Sequence, residues 1–245
     1  MNRAQGEVIA RDTLNEVMAW LKVFEIKLQY HGKDLLVTHW RETLATVGEK
    51  LSVLVSLKDS QHYGVIADSA TLYEERILVL DDVLHKLNHV QRKVLYLEPV
   101  LSNKSFPNES QSFQLVNDNF SLVLSKLKVD PRLYQLVEGS KGAELQAQLE
   151  SDIKDLELCQ KSLAVFMQKK RFVMPRLYFL GDDILLEILG QQNNPNTLQT
   201  HMKDLFQGID SVLLDSSENS IVGMKSAQGE EVLFDEVRKQ REGSI

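Results

Sequence analysis

Residues 174–190 read Met-Pro-Arg-Leu-Tyr-Phe-Leu-Gly-Asp-Asp-Ile-Leu-Leu-Glu-Ile-Leu-Gly, and Gln-Gln-Asn-Asn-Pro carries the chain to position 195. Pro175 stops the element that reaches it, since its ring lacks an N–H and crowds the preceding turn. An apolar-aromatic run follows, and Asp182 and Asp183 then open a short helix over 182–189 that Gly190 closes. Acids in a first turn meet the positive end of the helix dipole, and glycine accepts the left-handed conformation that ends a helix. Asn194-Pro195 opens a further helix, with Asn as cap and Pro at the first helical position, and Gly208 closes it.

Upstream of this stretch the apolar periodicity is helical throughout. Leu14, Val17, Leu21, Phe24 and Leu28 alternate steps of three and four, which predicts a helix from Glu7 to about Tyr30 ended by His31-Gly32. Trp40, Leu44, Val47, Leu51 and Leu54 predict a second helix from near Leu36 to Leu57. Tyr73, Ile77, Leu80, Leu84, Leu87, Gln91 and Val94 keep heptad spacing over about 70–97, and Glu98-Pro99 stops that helix. Residues 102–111 are polar, contain Pro107 and read as a loop. Phe113, Val116, Phe120 and Leu127 give the next helix, which ends near Asp130-Pro131. Ser140 is the N-cap candidate for a second heptad helix through Leu145, Leu149, Ile153, Leu156, Gln160, Leu163 and Met167, ending in Lys169-Lys170-Arg171.

The tail changes period. Ser220–Lys225 and Glu231–Phe234 are β-prone runs around a Gly-containing turn, which predicts a hairpin, and the charged residues 235–245 are expected to fray. The fold class is therefore mainly α, an elongated bundle of long antiparallel helices with a small β-hairpin near the C-terminus. Four segments follow: 1–101 with the first heptad helix, 102–171 with the second, 172–210 with the short helices, and 211–245 with the hairpin and tail.

Composition bounds the function classes. At 245 residues the chain is long enough to bury a core, and 43% hydrophobic with 26% charged residues is ordinary for a folded soluble protein. A net charge of -7 gives no basic field for nucleic acid or an anionic membrane. Cys159 is the only cysteine, so no intrachain disulfide forms and no cysteine metal cluster exists. The N-terminus lacks the apolar run of a secretory signal.

No phosphate-cradling Gly-x-x-x-x-Gly-Lys-Ser/Thr occurs, nor Gly-x-Gly-x-x-Gly, His-Glu-x-x-His or Gly-x-Ser-x-Gly. His85 and His89 have a zinc-compatible spacing, but solvated residues beside a heptad seam is the stronger reading. Asp182 and Asp183 could be paired catalytic acids; capping free amides at a helix start explains them better. Gln91 and Gln160 sit in apolar seams, where each either finds a partner for its amide or reaches water at the seam edge. Tyr178-Phe179 fits a core better than a docking surface, and the basic run 169–171 fits a solvated helix end. Catalytic, cofactor-binding and metal-binding residues are all expected to be absent.

Several segments resemble the linker region of dynein heavy chains. Gln91-Arg-Lys-Val-Leu-Tyr-Leu-Glu-Pro99 is similar to that family's Gln-x-x-Trp-x-Tyr-Leu-Glu-Pro run, with Val94 in place of tryptophan. Cys159-Gln-Lys-Ser-Leu163, Lys170-Arg171 and Pro175–Leu189 look like its next helix and signature. His201, Lys203, Phe206, Gly208 and Ile209 resemble its His-x-Lys-x-x-Phe-x-Gly-Ile stretch, and Ile221–Phe234 its hairpin. Val94, Met174 and Leu177 stand where the family has larger aromatics. Arg3–Val8, Leu180–Asp183, Met224–Ser226 and Gly229-Glu230 resemble the branch that serves retrograde intraflagellar transport.

The resemblance implies a mechanical role. It marks Tyr96, Leu97, Glu98, Pro99, Pro175, Arg176, Tyr178, Phe179, Gly181, Asp182, Asp183, Glu187, Gly190, Pro195, His201, Phe206 and Gly208 as signature positions. It implies a lever that bends with the nucleotide state of a ring of AAA ATPase modules, with its hinge at 99–111 or near 171–181. ATP and Mg would belong to those modules, and this chain alone would hydrolyse nothing. Implied partners are the AAA ring, the dynein intermediate and light intermediate chains, and microtubules, with no nucleic acid and no membrane. The implied location is cytoplasm, cytoskeleton and cilium. Two other classes remain open: a stand-alone helical scaffold, and an enzyme using Asp182, Asp183 or His201.

Overall fold

The computed structural model describes residues 2–101, 107–190, 195–215 and 220–239. In chain order these form α1 (Asn2–Val23), β1 (Lys27–His31), β2 (Asp34–Thr38), α2 (Trp40–Lys58), α3 (Ala67–Leu101), α4 (Pro107–Val129), α5 (Lys141–Val173), α6 (Asp182–Gly190), α7 (Pro195–Thr200), α8 (Met202–Leu205), β3 (Ile209–Leu214), β4 (Ser220–Ser226) and β5 (Glu231–Lys239). Short 3-10 turns lie at Tyr63–Val65, Leu133–Leu136 and Pro175–Phe179. The mainly α expectation holds, with two antiparallel sheets added. No helix among the described residues is long and apolar enough to cross a membrane. The chain divides into two compact units, 1–94 with 112–157, and 95–111 with 158–245.

In the first unit α3 is the core helix. Ile77, Leu80, Leu84 and Leu87 are fully buried, and Tyr73, Gln91 and Val94 join them, so the predicted heptad stripe is the buried one. Lys86 ties α3 to α5 through Asp82 (2.6 Å) and Glu150 (2.7 Å). On α5 the seam is offset from the predicted one. Leu149, Asp152 and Leu156 are buried, while Ile153 is only partly so. Asp152 is accepted there because Asn119 and Gln148 donate to its Oδ1 at 3.1 and 3.0 Å. Ser140 sits just ahead of α5, but its hydroxyl donates to the Glu144 carboxylate at 2.7 Å.

Burial raises the Asp152 carboxyl above its ordinary value, against the two amide donors and with help from the charge of Asp155. The folded state then binds this proton more readily than the unfolded chain. Stability is therefore gained as pH falls through the folded-state value and lost as pH rises past it. Asp152→Asn keeps the Oδ1 acceptor and removes the buried charge. It should raise the denaturant midpoint at neutral pH, with the advantage over the parent disappearing in acid. A lower midpoint at neutral pH would contradict this account.

The first predicted helix is too long. α1 stops at Val23, and the chain turns to pair elsewhere: Leu133 N–H donates to the Phe24 carbonyl and Ile26 N–H to the Pro131 carbonyl, both at 2.9 Å. Residues 27–38 then form a hairpin in which Leu28 faces Val37 across β1 and β2. Gly32 is left-handed (φ +63°) while Lys33 is not, the type II′ arrangement that matches strand twist. The same glycine property that reads as a helix stop thus makes a hairpin turn. β2 also displaces the start of α2 from Leu36 to Trp40, behind a left-handed His39 (φ 59°). Gln91 on α3 holds this hairpin: its Oε1 accepts the Val37 N–H and its Nε2 donates to the Val37 carbonyl, both at 3.0 Å.

In the second unit Leu97, Val100 and Leu101 pack with Cys159, Leu163, Met167, Leu177, Leu180, Leu185, Leu189 and Leu205 as its buried core. Gln160 is exposed at the edge of that seam. α3 runs through Pro99 to Leu101, so this proline does not end it. Proline forfeits one ladder bond, and two residues from the helix end that loss is small beside burial of Val100 and Leu101. The Ser110 hydroxyl satisfies the final Leu101 carbonyl at 2.7 Å. Pro107 to Gln111 belong to α4 rather than to a loop, since Pro107 occupies a first-helical position where its missing N–H costs nothing. Residues 102–106 and the Asn194 cap lie outside the described residues.

The predicted hairpin is β4–β5, with Gly229 left-handed (φ 88°) in its turn. β5 continues to Lys239, into the part expected to fray. β3 was not foreseen; it pairs antiparallel with β4 to give the order β3-β4-β5. Gln199 on α7 caps its outer edge, accepting the Val212 N–H at 2.8 Å and donating to the Val212 carbonyl at 2.7 Å.

Candidate functional site

Every signature position falls in the second unit. Two stretches far apart in sequence meet there. Gly190, closing α6, lies against the last turn of α3: a Cβ built on it would stand 2.7 Å from the Pro99 carbonyl oxygen. Tyr96 feels the α6 acids. Burial pushes its phenol above the ordinary value, and the carboxylates of Asp183 and Asp182 push it the same way, so it stays neutral. Leu97 is fully buried and Glu98 half-buried.

Arg171 of α5 makes three polar contacts across the break between α5 and α6, and Gln168 adds one by donating to the Tyr178 hydroxyl at 2.8 Å. Arg171 Nη1 reaches Asp182 at 2.8 Å, while Nη2 donates to the Leu180 carbonyl at 3.0 Å and Nε to the Leu177 carbonyl at 3.3 Å. Its side chain is only 14% exposed. The basic run therefore ends in a buried latch, not in a wholly solvated helix end. Sequence reasoning missed Arg171 as a signature residue, because basic residues in a last turn already have a sufficient explanation. Its spacing of eleven from an acid pair, across a proline, is the signal that could have found it.

Asp182 is thereby ion-paired rather than capping free amides, and Gly181 supplies the capping carbonyl, accepting from Leu185 N–H at 3.0 Å. Both acids lie in the first turn of α6 and are exposed, so the dipole reading stands for them. Gly181 itself has open space around it.

Arg176 holds the other side, donating to the Leu205 carbonyl at 3.0 Å with its guanidinium 4.7 Å from the Phe206 ring centre. His201 lies between Glu187 of α6 (3.6 Å) and Asp204 (3.5 Å). Gly208 is left-handed (φ 88°) and turns the chain from α8 into β3, where Lys203 pairs with Asp210 at 2.7 Å. Pro195 begins α7. The predicted single helix ending at Gly208 is two short ones, α7 and α8.

Tyr178 and Phe179 are not core residues. They are 53% and 75% exposed, and Phe172 and Val173 ahead of Pro175 are 83% and 82% exposed. Proline and the 3-10 turn direct Leu177 and Leu180 inward, and residues between them must then face out. His85 and His89 are exposed on α3, with His85 turned to Asp81. Among the described residues no group of three or more His, Cys, Asp or Glu is placed to hold a metal.

The site is built from ion pairs and side-chain hydrogen bonds to backbone carbonyls. Arginines grip backbone carbonyls at helix ends, and its aspartates lie exposed in a helix turn rather than lining a cleft. All 245 residues match the family described as dynein heavy chain, N-terminal region 2, and the chain belongs to that family. It is 41% identical over 236 residues to cytoplasmic dynein 2 heavy chain 1 of Tripneustes gratilla, covering 94% of this chain and 5% of the relative. The corresponding protein of Homo sapiens is 39% identical over 239 residues, with 95% and 6% covered. The cytoplasmic dynein heavy chain of Drosophila melanogaster is 30% identical over 237 residues, with 94% and 5% covered. The chain thus spans 5–6% of the length of these relatives.

Proposed function

We propose that this chain forms part of the linker, the mechanical lever, of a dynein heavy chain that drives minus-end-directed motility on microtubules. The observation that carries this is similarity over 94% of the chain to proteins named cytoplasmic dynein 2 heavy chain. That naming favours retrograde intraflagellar transport in cilia. ATP and Mg, the AAA ring and the intermediate and light intermediate chains belong to the whole motor. Uninterrupted helices of 35 and 33 residues suit a lever, which must transmit strain rather than absorb it. In this reading the hinge lies at the α5–α6 break, which Arg171 spans with three polar contacts.

The test uses a complete motor carrying this region. Arg171→Ala unlatches the break, and Pro175→Ala and Gly181→Ala alter its backbone freedom without filling packed space. Gliding velocity should change by roughly twofold or more while nucleotide affinity holds, since hinge residues act on motion rather than on binding. Unchanged velocity in all three variants would remove the hinge from 171–181. A native polypeptide of only 28.0 kDa would overturn the motor reading in favour of a free helical module.

A further inference from the structure

From Leu158 to Gly181 the chain contains five basic residues and no Asp or Glu, although its net charge is -7. α5 runs through this stretch to Val173 and carries two seams there. Cys159, Leu163 and Met167 face the core of the second unit. On the other side Leu158, Val165 and Phe172 are 61%, 56% and 83% exposed. Positions seven apart on an α-helix drift by only about 20°, so these three form one outward stripe. At a rise of about 1.5 Å per residue it is about 21 Å long.

Charge gives this stripe a sign. Lys161 follows Leu158 by three residues and Lys169 follows Val165 by four, so both lie on the same side of the helix. Both are exposed, and neither ammonium has an acceptor among the described residues. The other three cations are engaged. Lys170 sits 5.1 Å from the Phe166 ring centre, Arg171 pairs with Asp182, and Arg176 donates to the Leu205 carbonyl. The acids that bound the stretch lie off the stripe or are offset. Glu157 stands about 100° around the helix from Leu158. Asp155, one turn before Leu158, is half-buried and has the exposed Lys154 beside it. Asp182 is held by Arg171, and Asp183 acts on Tyr96. Apolar residues at heptad spacing with free ammoniums between them are complementary to a helix of the same repeat that carries carboxylates on its flanks. An anionic bilayer fits less well, because it would meet the acidic whole, whereas a helix meets this stripe alone.

We propose that the outward seam of α5 docks an acidic amphipathic helix of a partner protein. Apolar residues of that helix meet Leu158, Val165 and Phe172, and its carboxylates meet Lys161 and Lys169. The site does not rest on the lever or hinge reading.

The probe is a fluorescein-labelled synthetic helix of three heptads with Leu at the seam and Glu on its flanks, titrated against the 245-residue chain by fluorescence anisotropy. Val165→Asp, and Lys161→Glu combined with Lys169→Glu, should each weaken binding about tenfold or more. A peptide with Lys in place of Glu should restore affinity for the double charge variant alone. Leu122→Asp, at an exposed position of α4, should change nothing. Circular dichroism of the variants checks that they fold. Absence of saturable binding, or equal binding by all variants, would overturn the proposal. So would co-sedimentation with phosphatidylserine-containing vesicles that Val165→Asp abolishes, since a lipid surface would then own the face. A dimer in sedimentation that Val165→Asp abolishes would give the face to a second copy and overturn it equally.

Discussion

Gly190→Ala should cost the second unit about 1–3 kcal/mol, the usual range for overpacking a well-packed site. The new methyl would meet the Pro99 carbonyl oxygen at 2.7 Å and its carbon at 3.3 Å. Both are backbone atoms, so no side chain can swing away. The last turn of α3 cannot retreat easily either, because Leu97, Val100 and Leu101 are each at most 2% exposed. α6 has the same constraint, with Leu185, Leu186, Ile188 and Leu189 buried. Far-ultraviolet circular dichroism in denaturant should show the loss, and hydrogen exchange should locate it in α6. Exchange in α6 matching the parent would mean that the contact yields. Gly181→Ala is the internal control, since nothing lies within 4 Å of a Cβ there.

Gln91→Leu should be at least as damaging to the first unit, by about 2–5 kcal/mol. Leucine fills the space but leaves the Val37 N–H and carbonyl without partners, and each orphaned buried group costs about 1–3 kcal/mol. Water cannot readily replace the amide, because Val37 is 2% and Gln91 6% exposed. Gln91→Glu separates the two bonds: it keeps an acceptor for the N–H and loses the donor to the carbonyl, while adding a buried charge. Both tryptophans, Trp20 and Trp40, lie in the first unit, so indole fluorescence in a denaturant titration reads the effect directly. A Gln91→Leu protein with the parental midpoint would show that the clasp contributes nothing net.

The long helices were legible because their signal is repeated. Seven positions of the α3 stripe agree on one face, and no single substitution could reverse that. The hairpin β4–β5 was legible from two β-prone runs and a glycine turn. The errors lie where one residue type serves two ends. In sequence Gly32 looks like a helix stop, but it makes a hairpin turn, because a residue of positive φ serves either geometry. Pro99 has the local character of a terminator, but the burial of Val100 and Leu101 carries α3 past it. Apolarity alone would put Tyr178 and Phe179 in a core, but the 3-10 turn gives the inward places to Leu177 and Leu180.

The signature positions were legible by resemblance, but their contacts were not. Nothing in Gln199 or Gln91 announces that each holds the backbone of a valine at bidentate distance, since that needs a strand brought in from elsewhere. Arg171 likewise looked like any basic residue near a helix C-terminus until the chain folded back to present two carbonyls and Asp182.

By itself the sequence determined the helical class, the stripes that face inward, the late hairpin and the family. These are periodic or motif-borne properties, set by residues within a few turns of one another. Tertiary structure alone decided where α1 ends, that Asp152 enters a seam in place of Ile153, and that Gly190 must be glycine. Each depends on an atom contributed from a distant part of the chain: the Pro131 carbonyl, the Asn119 amide and the Pro99 carbonyl. A local pattern carries no record of such a partner, because packing and hydrogen-bond satisfaction are settled only when the elements meet.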